Sequence, residues 1–427
     1  MNESLFIQIH TLTSYPGTLL NRDDVGFAKR LPFGGATRTR ISSQCLKRHW
    51  RTFQGEHSLG ALSAGTEGLA ASVRSRHSFE RYVLEPLLAE GVLPELARAV
   101  TEVLMIEVLG ESAKAKKARD EAKAEKGEAA EAKGKKKVAK KQAADDDHGL
   151  MTGQITVLGR PELEFFLAEA RSLAEEAGST DGIEQARKKR FTKDWGRNLG
   201  GLKRAAGLDA ALFGRMVTSD KLARADAAIH VAHAFTVHAE QVETDYFSAV
   251  DDLLTGGDEP EQLGSGHIGN SELTSGLFYG YVVVDVGQLV SNLEGCEARV
   301  WRTSDLRLAA EVVRSLVQLV ARVSPGAKLG STAPYAYSHF VLAEAGSSQP
   351  RTLANAFLKP VGERPDLLGN AYRALAGYVK DVDDVFGLSN RRSCAAIGPK
   401  ELLSELGTPS TLEAVAKFAA SAVVEPR

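Results

Sequence analysis

Cationic side chains are concentrated in one short interval of this chain. No aspartate or glutamate occurs between Asp24 and Glu56. The interval instead contains the basic residues Lys29, Arg30, Arg38, Arg40, Lys47, Arg48 and Arg51. Guanidinium and ammonium groups with no carboxylate near them in sequence can bind phosphates, so the interval is a candidate anion-binding surface. The alternative interpretation is an amphipathic helix whose charges are simply solvated.

The second half of this interval predicts a helix that begins at Ser42 or Ser43. Serine is a preferred N-cap residue, and helical steps of about 100° per residue then separate two faces. The apolar face contains Leu46, Trp50 and Phe53. The opposite face, called the cationic face below, contains Gln44, Lys47, Arg48 and Arg51.

Backbone amides at the start of this helix would add an anion site at Ser42 and Ser43. Basic side chains one and two turns further on could hold successive phosphates, so the pattern favours a phosphodiester backbone as the ligand. The segment before the helix alternates like a strand edge, which predicts that Arg38 and Arg40 point the same way. The glycine pair at 34–35 would let main chain approach a ligand closely.

The chain as a whole has balanced charge. Its 427 residues are 43% hydrophobic and 25% charged, with a formal net charge of −2. This composition predicts a globular protein of two or three structural units, in which a nucleic-acid site is a local patch. Three widely spaced cysteines disfavour a disulfide framework and a structural zinc site. Because no basic leader and no long apolar run occur, we expect a cytoplasmic protein without a membrane segment.

Periodicity predicts the elements that position these residues. Strands are predicted at residues 5–12, 227–237, 277–286 and 335–343. Helices are predicted within residues 57–109 and at residues 161–176 and 306–323. Residues 111–147 are almost wholly Ala, Lys and Glu, which predicts a solvated insertion that is disordered or loosely helical. The fold class is therefore α+β, with a helical block inserted early.

Short motifs in a fixed order carry a family resemblance. They are Asn21-Arg22-Asp23-Asp24, Phe33-Gly34-Gly35, Arg40-Ile41-Ser42-Ser43-Gln44-Cys45-Leu46-Lys47-Arg48, Gly214-Arg215-Met216 with Ser219, Ala234 with His238, Phe247-Ser248-Ala249-Val250-Asp251-Asp252-Leu253, Ser275-Gly276-Leu277-Phe278-Tyr279, Pro325-Gly326-Ala327-Lys328 and Ala354-Asn355-Ala356-Phe357. The chain resembles the backbone (CasC-type) subunit of type I-E CRISPR Cascade, which polymerises along the guide RNA.

The resemblance implies a protein shaped like a right hand. Residues 1–55 and 216–427 would form an RRM-like (ferredoxin-like) palm, and residues 56–215 would form inserted helical fingers that include the segment 111–147. A β-hairpin thumb would lie at 243–276 within the palm. The implied partners are CRISPR guide RNA, target DNA through guide pairing, further copies of the chain, and the large, small, 5′-handle-binding and hairpin-processing Cascade subunits. No catalysis, cofactor, metal or membrane is implied.

Site residues follow partly from the resemblance and partly from the cationic interval. By resemblance, the guide-backbone contacts are Asn21, Arg22, Lys29, Ser42, Gln44, Lys47 and Arg51, and Met216 packs against bases. The interval itself adds Arg38, Arg40, Ser43 and Arg48. A basic run in the expected fingers predicts target-DNA contacts at Lys188, Lys189, Arg190 and Lys193.

Two other functions remain open at this point. One is an RNA-processing endonuclease of the same ferredoxin-like superfamily, with His10 or His49 as general base. The other is a generic single-strand-binding protein. A metal site formed by His230, His233 and His238 is disfavoured, because on a strand His233 faces away from the other two. An Asp251-Asp252 nuclease site is disfavoured too, since adjacent acids are more often turn residues.

Overall fold

The computed structural model describes residues 4–63, 72–109, 150–152, 154–192, 195, 207–215, 225–249 and 267–425. The strands are β1 (Phe6–Thr18), β2 (Arg30–Phe33), β3 (Ala36–Ile41), β4 (Val73–Ser75), β5 (Thr156–Leu158), β6 (Ile229–Val231), β7 (Ala234–Thr236), β8 (Val242–Ala249), β9 (His267–Asp285), β10 (Phe340–Gly346) and β11 (Arg391–Ala396).

The α-helices are α1 (Ser43–Thr52), α2 (Leu59–Ser63), α3 (Glu85–Ala89), α4 (Pro94–Leu109), α5 (Arg160–Ala177), α6 (Ile183–Arg190), α7 (Leu208–Phe213), α8 (Val286–Glu294), α9 (Arg307–Arg322), α10 (Leu329–Thr332), α11 (Leu367–Phe386) and α12 (Leu412–Val424). A π-helical turn spans Glu80–Leu84, and 3-10 turns span Thr180–Gly182, Ala298–Thr303, Ala354–Phe357 and Lys400–Leu406. The predicted mixture of strands and helices is confirmed. Among the residues described, no helix is both long and apolar enough to cross a membrane.

The chain forms two compact units. The first contains Met1–Leu62, Ile229–Val290 and Glu297–Arg427, and the second contains Ser63–Ala228 and Ser291–Cys296. The division expected from the family resemblance falls after residues 55 and 215. The assignment of the two units to a palm and fingers stays a prediction.

An antiparallel sheet organises the first unit. Its strand order is β11-β10-β1-β9-β7-β3-β2, and β6 and β8 also pair with β9. Strand β1 lies between β9 and β10, and apolar side chains such as Ile7 and Ile9 are fully buried in it. The polar side chains Gln8 and His10 are buried as well, and both have partners inside the unit, since Gln8 accepts from Tyr281 Oη and His10 contacts Glu344. An alternating polar pattern therefore does not mark a solvated face here.

The two faces of the sheet have different partners. Leu12, Tyr279 and Phe340 belong to a core cluster that includes residues of α11. The other face packs against α1 and α9, where Trp50 and Val320 meet the strands β1 and β9. Helix α9 matches the predicted helix at 306–323, whereas the strand predicted at 335–343 begins only at Phe340. Helix α1 is therefore held on a sheet whose opposite face is closed.

The second unit has its own core. Phe79, Val100, Leu104 and Phe166 are fully buried and bring together the π-helical turn, α4 and α5. The Phe79 and Phe166 rings stack with centroids 5.8 Å apart. These apolar contacts give the unit an interior of its own, as expected for a separately packed helical block.

A buried ion pair stabilises the start of α5 in this unit. The Glu162 carboxylate accepts from Gly159 N at 3.0 Å and therefore caps the helix. It also pairs with Arg215 at 2.7 Å, and neither side chain is exposed to solvent. Removal of one partner alone would leave a buried charge without compensation.

The glycine pair between β2 and β3 forms a two-residue hairpin turn. Gly34 has a φ of +61° and Gly35 a φ of +77°, as a type I′ turn requires. A Cβ atom on Gly34 would lie 1.4 Å from the carbonyl oxygen of Leu358, whereas nothing lies within 4 Å of the corresponding position on Gly35. The close main-chain approach predicted here is thus made to the protein's own chain.

The difference between these glycines can be tested by urea denaturation. Gly35→Ala should lower the free energy of unfolding by about 1 kcal/mol, because it introduces only left-handed strain. Gly34→Ala adds a clash with fixed backbone and should cost about 3 kcal/mol or more. Equal losses in the two variants would contradict the packing described for Gly34.

Candidate nucleic-acid interface

Helix α1 begins where the sequence predicts. Ser42 is its N-cap, with extended backbone angles of φ −69° and ψ 147°. The Ser42 hydroxyl accepts a hydrogen bond from Cys45 N at 3.3 Å. Serine at this position replaces one of the hydrogen bonds that the first turn lacks, which is why the helix starts here.

The two predicted faces of α1 are confirmed. Leu46 and Trp50 on the apolar face are buried. On the cationic face, Gln44 and Arg48 are exposed. The remaining members of that face, Lys47 and Arg51, are half-buried. The sheet thus holds one side of the helix and leaves its basic side at the surface.

Acceptors of the protein itself occupy amides at the start of α1. Asn21 Oδ1 accepts from Ser42 N at 2.9 Å, and His233 Nδ1 accepts from Ser43 N at 3.2 Å. The Cys45 amide is taken by the Ser42 hydroxyl. The predicted open anion site at these amides is therefore wrong, because their hydrogen-bonding capacity is already used. Asn21 and Ser42 position the helix instead.

The prediction that Arg38 contacts guide RNA is also wrong. Its side chain is fully buried, and its guanidinium donates to three backbone carbonyls. The acceptors are Thr236 O at 3.0 Å, Phe357 O at 3.0 Å and Phe33 O at 3.3 Å. Burial lowers the pKa of Arg38. This residue ties β3 to β7 and to the 3-10 turn at Ala354–Phe357.

Arg30 is neutralised by carboxylates that are distant in sequence. It pairs with Glu240 and with Glu272, the latter at 2.7 Å. Glu272 also accepts from Ala28 N at 3.1 Å. An interval that is free of acids in sequence is therefore not free of acids in space. Sequence reasoning missed both glutamates, since no local pattern connects them to Arg30.

Four cations at this surface have no carboxylate partner in the described structure and are called the open cations below. Arg22 and Arg48 are exposed, and Lys29 and Arg40 are half-buried. Within the described ranges, no carboxylate lies at ion-pair distance from any of the four. Arg40 is instead oriented by the carbonyl of Arg30, which accepts from Arg40 Nε at 3.1 Å. These four side chains can therefore meet an external phosphate without first breaking an ion pair.

The positive charge of these cations influences the pKa values of two neighbouring residues, His233 and Cys45. Burial is the main cause of a lowered pKa at His233, and the charges of Arg40 and Lys29 lower it further. Burial raises the pKa of the Cys45 thiol, while Arg48 and Lys29 act in the opposite direction. His233 is therefore neutral at physiological pH and serves as the acceptor described above.

The loop before β2 is held in one conformation by Asp23. Its Oδ1 accepts from the amides of Val25 at 3.0 Å, Gly26 at 2.8 Å and Phe27 at 2.9 Å. A single carboxylate that binds three amides is a compact anion nest within the protein. The loop consequently presents the open cation Arg22 on a fixed support.

A β-hairpin extends from the sheet next to this loop. Strands β8 and β9 pair from Val242 with Thr274 to Ala249 with His267. Tyr246 is 67% exposed on this hairpin. Glu272 at its base makes the contacts with Ala28 and Arg30 given above. The predicted excursion at 243–276 thus contains a hairpin that is fastened to the cationic surface.

Nearly the whole chain matches one protein family. The match to the family described as CT1975-like protein spans residues 7–418. This chain belongs to the CT1975-like protein family. No curated protein sequence matches it.

Two solved structures are similar to this CT1975-like chain over almost their full length. One is a chain of a "CRISPR RNA-guided surveillance complex, pre-nicking", which is 25% identical with a TM-score of 0.68 and covers 98% of this chain and 100% of that chain. The other is a chain of a "CRISPR RNA-guided surveillance complex", which is 22% identical with a TM-score of 0.61 and covers 98% and 99%, respectively. The second likeness is one of fold alone.

The basic run predicted to contact target DNA is only partly open in this CT1975-like protein. Lys188 and Lys189 are exposed at the end of α6. Arg190 is held by two carboxylates, Glu169 at 2.9 Å and Glu176 at 2.6 Å. The role of Arg190 as a target-DNA contact stays a prediction, and a phosphate would have to compete there with these two carboxylates. Other sequence-based assignments lie outside the described residues, namely Lys193, Met216, Asp251, Asp252 and the segment 111–147.

The histidines considered as general bases are engaged within the protein. His10 is fully buried, with Nδ1 2.9 Å from Tyr279 Oη and Nε2 3.2 Å from Glu344, and burial lowers its pKa. His49 Nδ1 donates to the carbonyl of Cys45 at 2.8 Å, and its Nε2 accepts a backbone amide at 3.4 Å. Neither ring nitrogen of His10 can reach a substrate in this arrangement.

The histidines near β6 and β7 do not form a metal cluster in the part of the chain that the structure describes. His233 is committed to Ser43 N, and His238 Nε2 accepts from Leu277 N at 3.1 Å. Burial is the main cause of a lowered pKa at His238, so this ring acts as a neutral acceptor inside the sheet.

The structural role assigned to Arg38 predicts a stability effect. Arg38→Met should lower the free energy of unfolding by about 3 kcal/mol, because three buried carbonyls lose a charged donor. Arg48→Met changes the same side chain at an exposed site and should stay within about 0.5 kcal/mol of the parent. Urea denaturation followed by circular dichroism measures both. An Arg38→Met protein as stable as the parent would contradict the structural role assigned to Arg38.

Proposed function

We propose that this chain is a non-catalytic subunit of a type I-E CRISPR Cascade complex and that it grips the backbone of a single-stranded guide RNA. The observation that carries the proposal is the set of four open cations, Arg22, Lys29, Arg40 and Arg48, fixed around the start of α1. The similarity to a chain of a CRISPR RNA-guided surveillance complex over 98% of this chain supports the same conclusion.

Contacts to phosphate explain how such a subunit accepts any guide sequence. Lysine and arginine bind the sugar-phosphate backbone without distinguishing bases. Sequence specificity then comes from pairing between the guide and target DNA. A surface of cations next to a neutral helix cap suits binding of the sugar-phosphate backbone, because it holds the strand and leaves its bases free for pairing.

The proposal includes an assembly. The first compact unit would act as the palm, the second as the fingers, and the β8–β9 hairpin as a thumb. Several copies would lie side by side on one guide, together with the large, small, 5′-handle-binding and hairpin-processing subunits. Target DNA would join through the guide, with Lys188 and Lys189 as sequence-independent contacts.

The endonuclease alternative has less support. His10 is buried against Glu344, and both nitrogens of His49 have hydrogen-bond partners within the protein. An assay with a repeat hairpin RNA in the absence of divalent metal separates the two functions. We expect no cleavage product from the purified chain. Cleavage that disappears in His49→Ala would establish the endonuclease instead.

The RNA that accompanies the protein tests the backbone role directly. The chain is co-expressed with its neighbouring genes and a repeat-spacer transcript, purified, and its RNA sequenced. We expect mature guide RNA in a large complex that contains several copies of this subunit. Mixed cellular RNA on a monomer would favour a generic single-strand-binding protein.

The open cations predict a specific salt dependence. Arg22→Ala together with Arg48→Ala should weaken binding of single-stranded RNA and lower the slope of log affinity against log salt by roughly 0.7 for each lost phosphate contact. Arg373→Ala removes an exposed arginine that contacts only Asn370 in the described structure and serves as the matched control. Filter binding at several salt concentrations measures both quantities. An unchanged slope in the double variant would place the RNA elsewhere.

A further inference from the structure

An open groove lies at the ends of α1 and α9 within the first unit. Its volume is about 540 Å³, and its lining includes Phe53 and His57. Tyr335 and Tyr337 also line it, with exposed fractions of 76% and 67%. Two large aromatic side chains exposed in one groove are unusual for residues with no ligand.

The backbone that carries these tyrosines is fixed. The Ser324 hydroxyl donates to Ala336 O and accepts from Ala336 N, each at 2.9 Å. Ser338 N donates to Ala321 O at 2.9 Å. Ala336 is half-buried between the two exposed tyrosines, so the rings project from a clamped segment. A clamped aromatic pair loses little conformational entropy when it binds a flat ligand.

The charges in the groove favour a nucleobase over a phosphate. The Arg322 guanidinium lies 5.8 Å from the centre of the Tyr337 ring, a distance at which a cation and an aromatic ring attract each other. Glu56 also lines the groove. A carboxylate repels phosphate but not a neutral base, and aromatic rings beside arginine stack bases of any sequence.

The groove lies at the C-terminal end of α1. Phe53 follows Arg51 by two residues and caps the C-terminal end of the helix. The loop that leads to the tyrosines is docked on the same helix, since Gly326 N donates to His49 Nε2 at 3.4 Å. The groove is therefore built on the same helix that carries the open cation Arg48.

We propose that the groove formed by Phe53, His57, Arg322, Tyr335 and Tyr337 stacks one or more bases of single-stranded RNA. The inference deepens the proposed function and rests on it. The phosphate contacts would hold the strand, and the two tyrosines would hold bases where the strand passes the end of α1. The contact is independent of base identity, as an arbitrary guide requires.

Photocrosslinking in the assembled complex tests the groove. Guide RNA that contains 4-thiouridine at single positions is loaded into the complex, irradiated and digested, and the crosslinked peptides are sequenced. We expect crosslinks in the peptide that contains Tyr335 and Tyr337. Loading of guide RNA with crosslinks confined to other peptides would overturn this inference and leave the proposed function intact. A parent complex that recovers no guide RNA would overturn both.

Paired variants supply a second, independent measurement. Tyr335→Ala with Tyr337→Ala should weaken RNA affinity about tenfold or more, whereas Tyr335→Phe with Tyr337→Phe keeps the stacking surface and should leave affinity unchanged. Thermal melting checks that both double variants fold. Unchanged affinity in the alanine variant would overturn the inference. Normal RNA affinity with fewer copies per complex would overturn it as well, and would assign the groove to a protein partner.

Discussion

The guanidinium of Arg38 joins three segments that are far apart in the chain, and the arrangement of the cationic surface depends on it. Its hydrogen bonds to the carbonyls of Phe33, Thr236 and Phe357 fix the β2–β3 hairpin against β7 and the 3-10 turn. Strand β3 ends two residues before α1, so the position of that helix follows from the position of the strand. A buried cation satisfied by carbonyls alone adds no negative charge beside the surface cations.

Six basic residues in and beside the interval consequently divide into two sets. Arg38 and Arg30 hold the structure together, the first through carbonyls and the second through Glu240 and Glu272 at the base of the hairpin. The open cations, among them Arg22 and Arg48, have no carboxylate partner in the described structure. The same residue type thus builds the support and forms the surface, and the partners available within the protein decide which role each arginine has.

Local rules predict α1 well and its surroundings poorly. Serine capping and helical periodicity act over a few residues, so the start of α1 and its two faces could be predicted from the sequence. The burial of Arg38 could not, because two of its three acceptors are 198 and 319 residues away. That protein acceptors bind the amides of Ser42 and Ser43 could not be predicted for the same reason, since His233 is 190 residues away from Ser43 in the sequence. The predicted strand does not begin at residue 335, because the Ser324 hydroxyl binds the Ala336 carbonyl and holds this segment outside the sheet.

A chain with a net charge of −2 can hold an RNA strand only if its acidic and basic groups are sorted in space. Ion pairs such as Arg190 with Glu169 and Arg392 with Glu344 neutralise charged side chains within each unit. Because those pairs are internal, the open cations around α1 remain as an uncompensated local charge. Attraction to phosphate then acts over about one Debye length, roughly 8 Å at physiological salt, and is confined to this surface. Local sorting of charge, rather than an overall basic composition, is therefore what gives the proposed guide-RNA interface its positive charge.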